Sequence, residues 1–136
     1  MRAALLASLA SLASLASVAS LASLGACSKD KPAGPREAVL EAWKADKLAP
    51  AAPLAPAQVA FAKDCQGGAI VDIDLLLCNF ATPAEAKAAE DQGLGWIGAA
   101  TGASQAHGAA LIVLADRKKA DPNGRMINRL MKLAPK

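Results

Sequence analysis

The chain contains no tyrosine, one histidine, two tryptophans and two phenylalanines among 136 residues. So few rings leave the core to Ala, Leu, Ile and Val, with Trp43, Phe61, Phe80 and Trp96 as its aromatic pieces. His107 and three cysteines offer no ligand spacing typical of zinc, so no metal is expected. There is no G-K-[ST] phosphate loop. Aligning Gly124 of "DPNG" with the invariant glycine of a calcium loop puts Lys119 and Leu130 at its first and last ligand positions, which excludes that loop too. No cofactor follows from these residues. Charge is also missing from one long interval, since nothing between Arg2 and Lys29 carries either sign.

That interval holds "LASLASLASVASLASLGACS" at residues 9–28. Its serines recur at 8, 11, 14, 17, 20 and 23. A three-residue step drifts around a helix of about 3.6 residues per turn, so the serines form no single face. One positive residue, an apolar stretch and small residues at its end are the layout of a secretory leader, here residues 1–26, removed from the mature chain. Loss of Arg2 with the leader leaves fourteen basic and twelve acidic side chains on about 110 residues. That near balance gives no footprint for nucleic acid.

The leader stops at Leu24-Gly25-Ala26-Cys27, an apolar residue, two small residues and a cysteine. This resembles the lipobox of bacterial lipoproteins, with every motif position matched. The resemblance implies cleavage between Ala26 and Cys27, a diacylglyceryl group on the Cys27 thiol and further acylation of the new amino terminus. Two or three acyl chains hold a membrane where one binds it only marginally. Ser28, in place of Asp, resembles the signal that sends such proteins to the outer membrane. The expected location is therefore the cell envelope, lipid-anchored and facing the periplasm.

Residues 27–35 read as a flexible tether, because "SKDKPAGP" is polar and carries two prolines. The remainder, 36–136, reads as one small domain. Val39, Leu40, Trp43, Lys47 and Leu48 fall at helical spacing, with Arg36, Glu37, Glu41, Lys44 and Asp46 on the other side, predicting an amphipathic helix over 36–48. Pro50, Pro53 and Pro56 then predict an extended connector over 49–57. "IDLLLCNF" and "ALIVLA" are apolar on both faces and predict central strands. Between them, Thr82 as N-cap, Pro83 in the first position and Glu85 three after the cap predict a helix stopping near Gly93. Strand, helix and strand in that order suggest a crossover joining two parallel strands. Residues 93–108 hold five glycines and read as a loop with one more helical turn around Trp96 and Ile97; Asp121-Pro122-Asn123-Gly124 reads as a turn or an N-cap with Pro in the first position, leading into a closing helix whose stripe is Met126, Ile127, Leu130, Met131 and Leu133. The expected fold is α+β, in the order α-β-β-α-β-α, with three strands and helices packed on the sheet.

With Cys27 committed to lipid, Cys65 and Cys78 are an even pair in an oxidising compartment. As facing residues of a hairpin they place its centre between Val71 and Asp72, whereas a second register, turning at Gly67-Gly68, would leave Cys78 beyond reach of Cys65. Val71 suits a tight turn poorly, which favours a four-residue loop from Ile70 to Ile73. A gap of twelve residues lacks the C-x-x-C geometry of a redox dithiol, so the pair reads as a structural bridge.

Chemistry is thinly represented. Ser104, His107 and Asp116 could form a triad on paper, but Ser104 lacks the nucleophile-elbow setting and His107 reads as a solvated loop residue. Asp72 and Asp74 are a near pair of carboxylates that also suit a strand connection. Charge is unevenly spread: residues 65–116 carry six acids against Lys87, whereas 117–136 carry seven bases against Asp121. Arg117, Lys118, Lys119, Arg125, Arg129 and Lys132 thus form a candidate surface for an envelope protein or an anionic envelope polymer, or a solvated face pairing with the domain's own acids. The expected function is a non-enzymatic binding or structural module of the envelope. The alternative is a small periplasm-facing enzyme or accessory subunit using the glycine-rich loop 98–108 with Ser104, His107, Asp72 and Asp74.

Overall fold

A computed structural model of the chain describes residues 34–136. The leader, the Ala26–Cys27 cleavage position, the Cys27 lipidation site and all but the end of the tether lie outside these residues. Nine elements follow in order: α1 (Pro35–Ala45), β1 (Ala55–Val59), β2 (Ala62–Ile70), β3 (Ile73–Asn79), α2 (Pro83–Ala88), α3 (Glu90–Ile97), β4 (Thr101–His107), β5 (Ala110–Asp116) and α4 (Arg125–Leu133). The strands form one sheet in the order β1-β2-β3-β5-β4, with every neighbouring pair antiparallel.

The domain is α+β, as its alternating patterns require, but it has five strands instead of three. β3 and β5 are central, and the apolar character of both their faces is used. Ile73, Leu75, Leu77, Ile112 and Leu114 pack against Val39 and Trp43 of α1 and Ile127, Leu130 and Met131 of α4. Leu76, Cys78, Leu111, Val113 and Ala115 share the opposite core with Ala89, Ile97 and Cys65. The Trp43 indole joins the two helices of the first layer, donating to the Leu130 carbonyl at 2.8 Å.

Two strands lie where the sequence suggested none. β1 takes residues 55–57 out of the expected connector, and it sits at a sheet edge, where the missing N–H of Pro56 is tolerated. β4 and α3 occupy most of the expected loop 93–108. Their glycines serve close packing: a Cβ on Gly93 would collide with Ser104 Oγ, and one on Gly102 with the Leu114 carbonyl oxygen. Gly93 is therefore inside α3, and the helix ends instead at Gly98, whose φ is 66°.

The crossover exists with a different second strand. β3 runs antiparallel to β5 and β5 antiparallel to β4, so α2 and α3 connect β3 to a parallel β4 while β5 inserts between them. The N-cap of α2 is as read, with Thr82 Oγ1 accepting from Glu85 N at 3.2 Å. α1 ends at Ala45, three residues before the expected Leu48, as Lys47 turns left-handed at φ 61°. Arg36 is not on its solvent side but buried.

Cys65 faces Cys78 in the β2–β3 ladder and the two are joined by a disulfide. The register is the expected one, but the loop is shorter. Ile70 pairs Ile73, leaving a two-residue turn in which Val71 and Asp72 take φ of 48° and 63°. Antiparallel strands twist to match such a turn, which overrides the poor fit of a β-branched residue. Replacing Val71 by Asn and Asp72 by Gly is expected to raise the unfolding free energy by about 1 kcal/mol in urea titration, because both φ values then come without strain. An unchanged or lowered midpoint would contradict this account of the turn.

Candidate interaction surface

The basic segment begins where β5 ends, and two buried carboxylates fix its path. Asp116 accepts from Ala120 N at 2.7 Å and Asp121 N at 2.8 Å. Asp121 in turn accepts from Arg125 N at 2.9 Å and Ile127 N at 3.0 Å, satisfying two of the free amides at the start of α4. "DPNG" itself forms a turn, Gly124 N–H donating to the Asp121 carbonyl at 2.9 Å, and Gly124, left-handed at φ 65°, stands at the N-cap of α4.

The six predicted cations fall into two groups. Arg117 lies over the Trp96 ring, 4.2 Å from its centroid, and donates to the Trp96 carbonyl at 2.7 Å and to Asp74 at 2.9 Å. Lys118 pairs with Asp72 at 3.2 Å. Arg129 donates from Nε to Asp46 at 3.1 Å. These three are held by the domain's own acids. Lys119, Arg125 and Lys132 make no ion pair among the described residues. Spatially, Arg117 and Lys118 clamp the β2–β3 turn, whereas Arg125, Arg129 and Lys132 follow one another along the outer face of α4 and line a shallow depression with Asn128 and Leu133.

The residues offered for catalysis are dispersed. Ser104 and His107, three apart on β4, point to opposite faces of the sheet. Ser104 Oγ is buried beneath Gly93 with no hydrogen-bond partner. His107 ends a strand instead of lying in a loop; its Nδ1 is 3.2 Å from the Pro135 carbonyl and its Nε2 is buried without a partner. Asp116 pairs across β4 with Thr101, at the far end of that strand from His107. Asp72 and Asp74 are spent on Lys118 and Arg117. Among the described residues no group of three or more His, Cys, Asp or Glu side chains could hold a metal. Ser104→Ala is expected to leave stability unchanged or raise it by up to about 1 kcal/mol, since it deletes an unpaired buried hydroxyl. A loss above that size on chemical denaturation would show that the hydroxyl has a partner.

Two polar clusters had no sequence signal. Arg36 donates to Asp64 at 2.8 Å and to Glu37 at 3.1 Å and 3.2 Å, while its backbone N–H donates to Asn79 Oδ1 at 2.9 Å. Hydrogen bonds from Arg36 and Asn79 hold the Asp64 carboxyl below its ordinary range. Glu90 accepts from Ala106 N at 2.8 Å and Lys87 Nζ at 2.7 Å. Burial pushes its carboxyl up, but those two donors outweigh it and the net shift is downward. By taking an outward amide of edge strand β4, Glu90 also blocks part of that edge against further strand pairing.

No family model matches the chain. Neither a curated protein nor a solved structure matches it.

Proposed function

We propose that the chain is a membrane-anchored lipoprotein of the bacterial cell envelope, whose folded domain acts as a non-enzymatic binding or structural module. The observation that carries this reading is Leu24-Gly25-Ala26-Cys27 closing a leader with no charge after Arg2. The Cys65–Cys78 disulfide supports it, because such bonds persist in oxidising compartments and this one leaves Cys27 as the remaining cysteine. Ser28 favours the outer membrane, with the domain facing the periplasm. Structural duties for Asp72, Asp74 and Asp116, and the separation of Ser104 from His107, favour binding over catalysis. The binding surface is the part of the basic segment that lies along α4, Arg125, Arg129 and Lys132, offered to an envelope protein or an anionic envelope polymer.

Metabolic labelling with palmitate tests the anchor. The wild-type chain is expected to take up label and stay with membranes, and Cys27→Ser to take up none. Equal labelling of the two, or no labelling of either, would overturn the reading.

A further inference from the structure

We propose that the outer face of α4 rests on the anionic headgroups of the same membrane that holds the lipidated Cys27; this rests on the lipoprotein reading above. α4 carries Arg125, Arg129 and Lys132 and no acidic residue. Arg125 and Lys132 have no ion partner among the described residues, and Arg129 shares only Asp46.

The tether decides which side of the domain can reach the membrane. Seven residue steps separate Cys27 from Gly34, a span of at most about 25 Å when fully extended. Gly34 opens α1, and α1 lies beside α4 on one face of the sheet. The exit point also lies at the sheet end where α4 finishes. An added Cβ on Gly34 would be 3.6 Å from Asn79 Nδ2, Asn79 pairs Ala110, Ala110 pairs His107, and His107 touches the Pro135 carbonyl just after α4. A short tether leaving from this face and this end brings α4 to the bilayer before it brings anything on the opposite face.

Charge selects the same orientation. Lys136 follows α4, and the charges of α1 and its C-cap largely cancel, Glu37, Glu41 and Asp46 standing against Arg36 and Lys44. On the opposite face, α2 and α3 hold Glu85, Glu90 and Asp91 against Lys87 alone. The domain is thus polarised across its sheet, basic toward α4 and acidic toward α2 and α3. An anionic surface attracts the first face and repels the second. Lys29 and Lys31 in the tether add two further cations against Asp30 next to the anchor.

The test uses the full lipidated chain in vesicles of phosphatidylcholine alone or with anionic phosphatidylglycerol. Amine-reactive labelling of Lys132 is followed by peptide mass spectrometry, with Lys87 as the internal reference. Lys132 is expected to label about tenfold more slowly in the anionic vesicles, and Lys87 equally in both, with protection lost at high salt and reduced by Arg125→Glu. Equal Lys132 rates in vesicles that keep the chain through high-salt flotation would overturn the docking and leave the anchor standing. Protection in native envelopes but in neither vesicle would also overturn it, in favour of a protein partner. A chain without acyl mass that floats with neither vesicle would overturn the anchor and the docking together.

Discussion

Asp121→Ala is expected to lower the unfolding free energy by about 3 kcal/mol, measured by urea denaturation of the purified domain-bearing chain. The carboxylate is 9% exposed and accepts the amides of Arg125 and Ile127, so its removal leaves two donors at the start of α4 without their acceptor. Asp121→Asn keeps one acceptor oxygen and is expected to lose about half as much. The effect reaches the surface, because Asp121 also holds its own amide on Asp116 and so sets where α4 begins relative to β5. A loss below about 0.5 kcal/mol for Asp121→Ala would mean that water satisfies the helix start and that the basic face is not fixed in this way.

Removing the disulfide is the second large effect. Cys65 and Cys78 are 13 residues apart in sequence, and closing a loop of that length constrains the unfolded chain by about 3 kcal/mol. For a domain of this size that corresponds to a fall in Tm of roughly 15 °C for Cys65→Ala/Cys78→Ala, read by calorimetry. Both sulfurs are shielded, with Cys65 4% and Cys78 0% exposed. Dithiothreitol is therefore expected to act on the folded protein only through opening of the β2–β3 ladder. Rapid reduction without loss of structure, or an unchanged Tm in the double variant, would show that β2 and β3 are held by packing alone.

Strong local patterns in the sequence survive into the fold for physical reasons. Leu75, Leu77, Ile112 and Leu114 alternate with Leu76, Cys78, Leu111 and Val113 because β3 and β5 are covered on both sides, and that requirement is written directly in residue type. Thr82 and Pro83 start α2 through chemistry confined to one turn. The α4 stripe has no competitor because its outer positions are all polar. The facing of Cys65 and Cys78 needs only a hairpin centred between Val71 and Asp72, and a two-residue or a four-residue loop about that centre gives the same register.

What was illegible depended on contacts distant in sequence. Gly93 and Gly102 look like loop residues until Ser104 and the Leu114 carbonyl are placed against them, so α3 and β4 were hidden and with them the insertion of β5. Val71 carries no turn signal, and the ladder on either side forces it into one. Arg36 lies on the polar side of a helical wheel, yet Asp64, 28 residues away, draws it inward. The same applies to the candidate site: the six cations form a run in sequence, but their division into three held by Asp46, Asp72 and Asp74 and three without an ion pair among the described residues exists only in the folded chain.

One intact mass tests the address and the fate of the cysteines together. The protein is extracted from membranes in detergent and weighed before and after alkylation of free thiols under denaturing, non-reducing conditions. The expected result is a chain beginning at Cys27, heavier by its acyl groups, that takes up no alkylating reagent. A chain that still carries residues 1–26, or one that alkylates at Cys65 and Cys78, would contradict it.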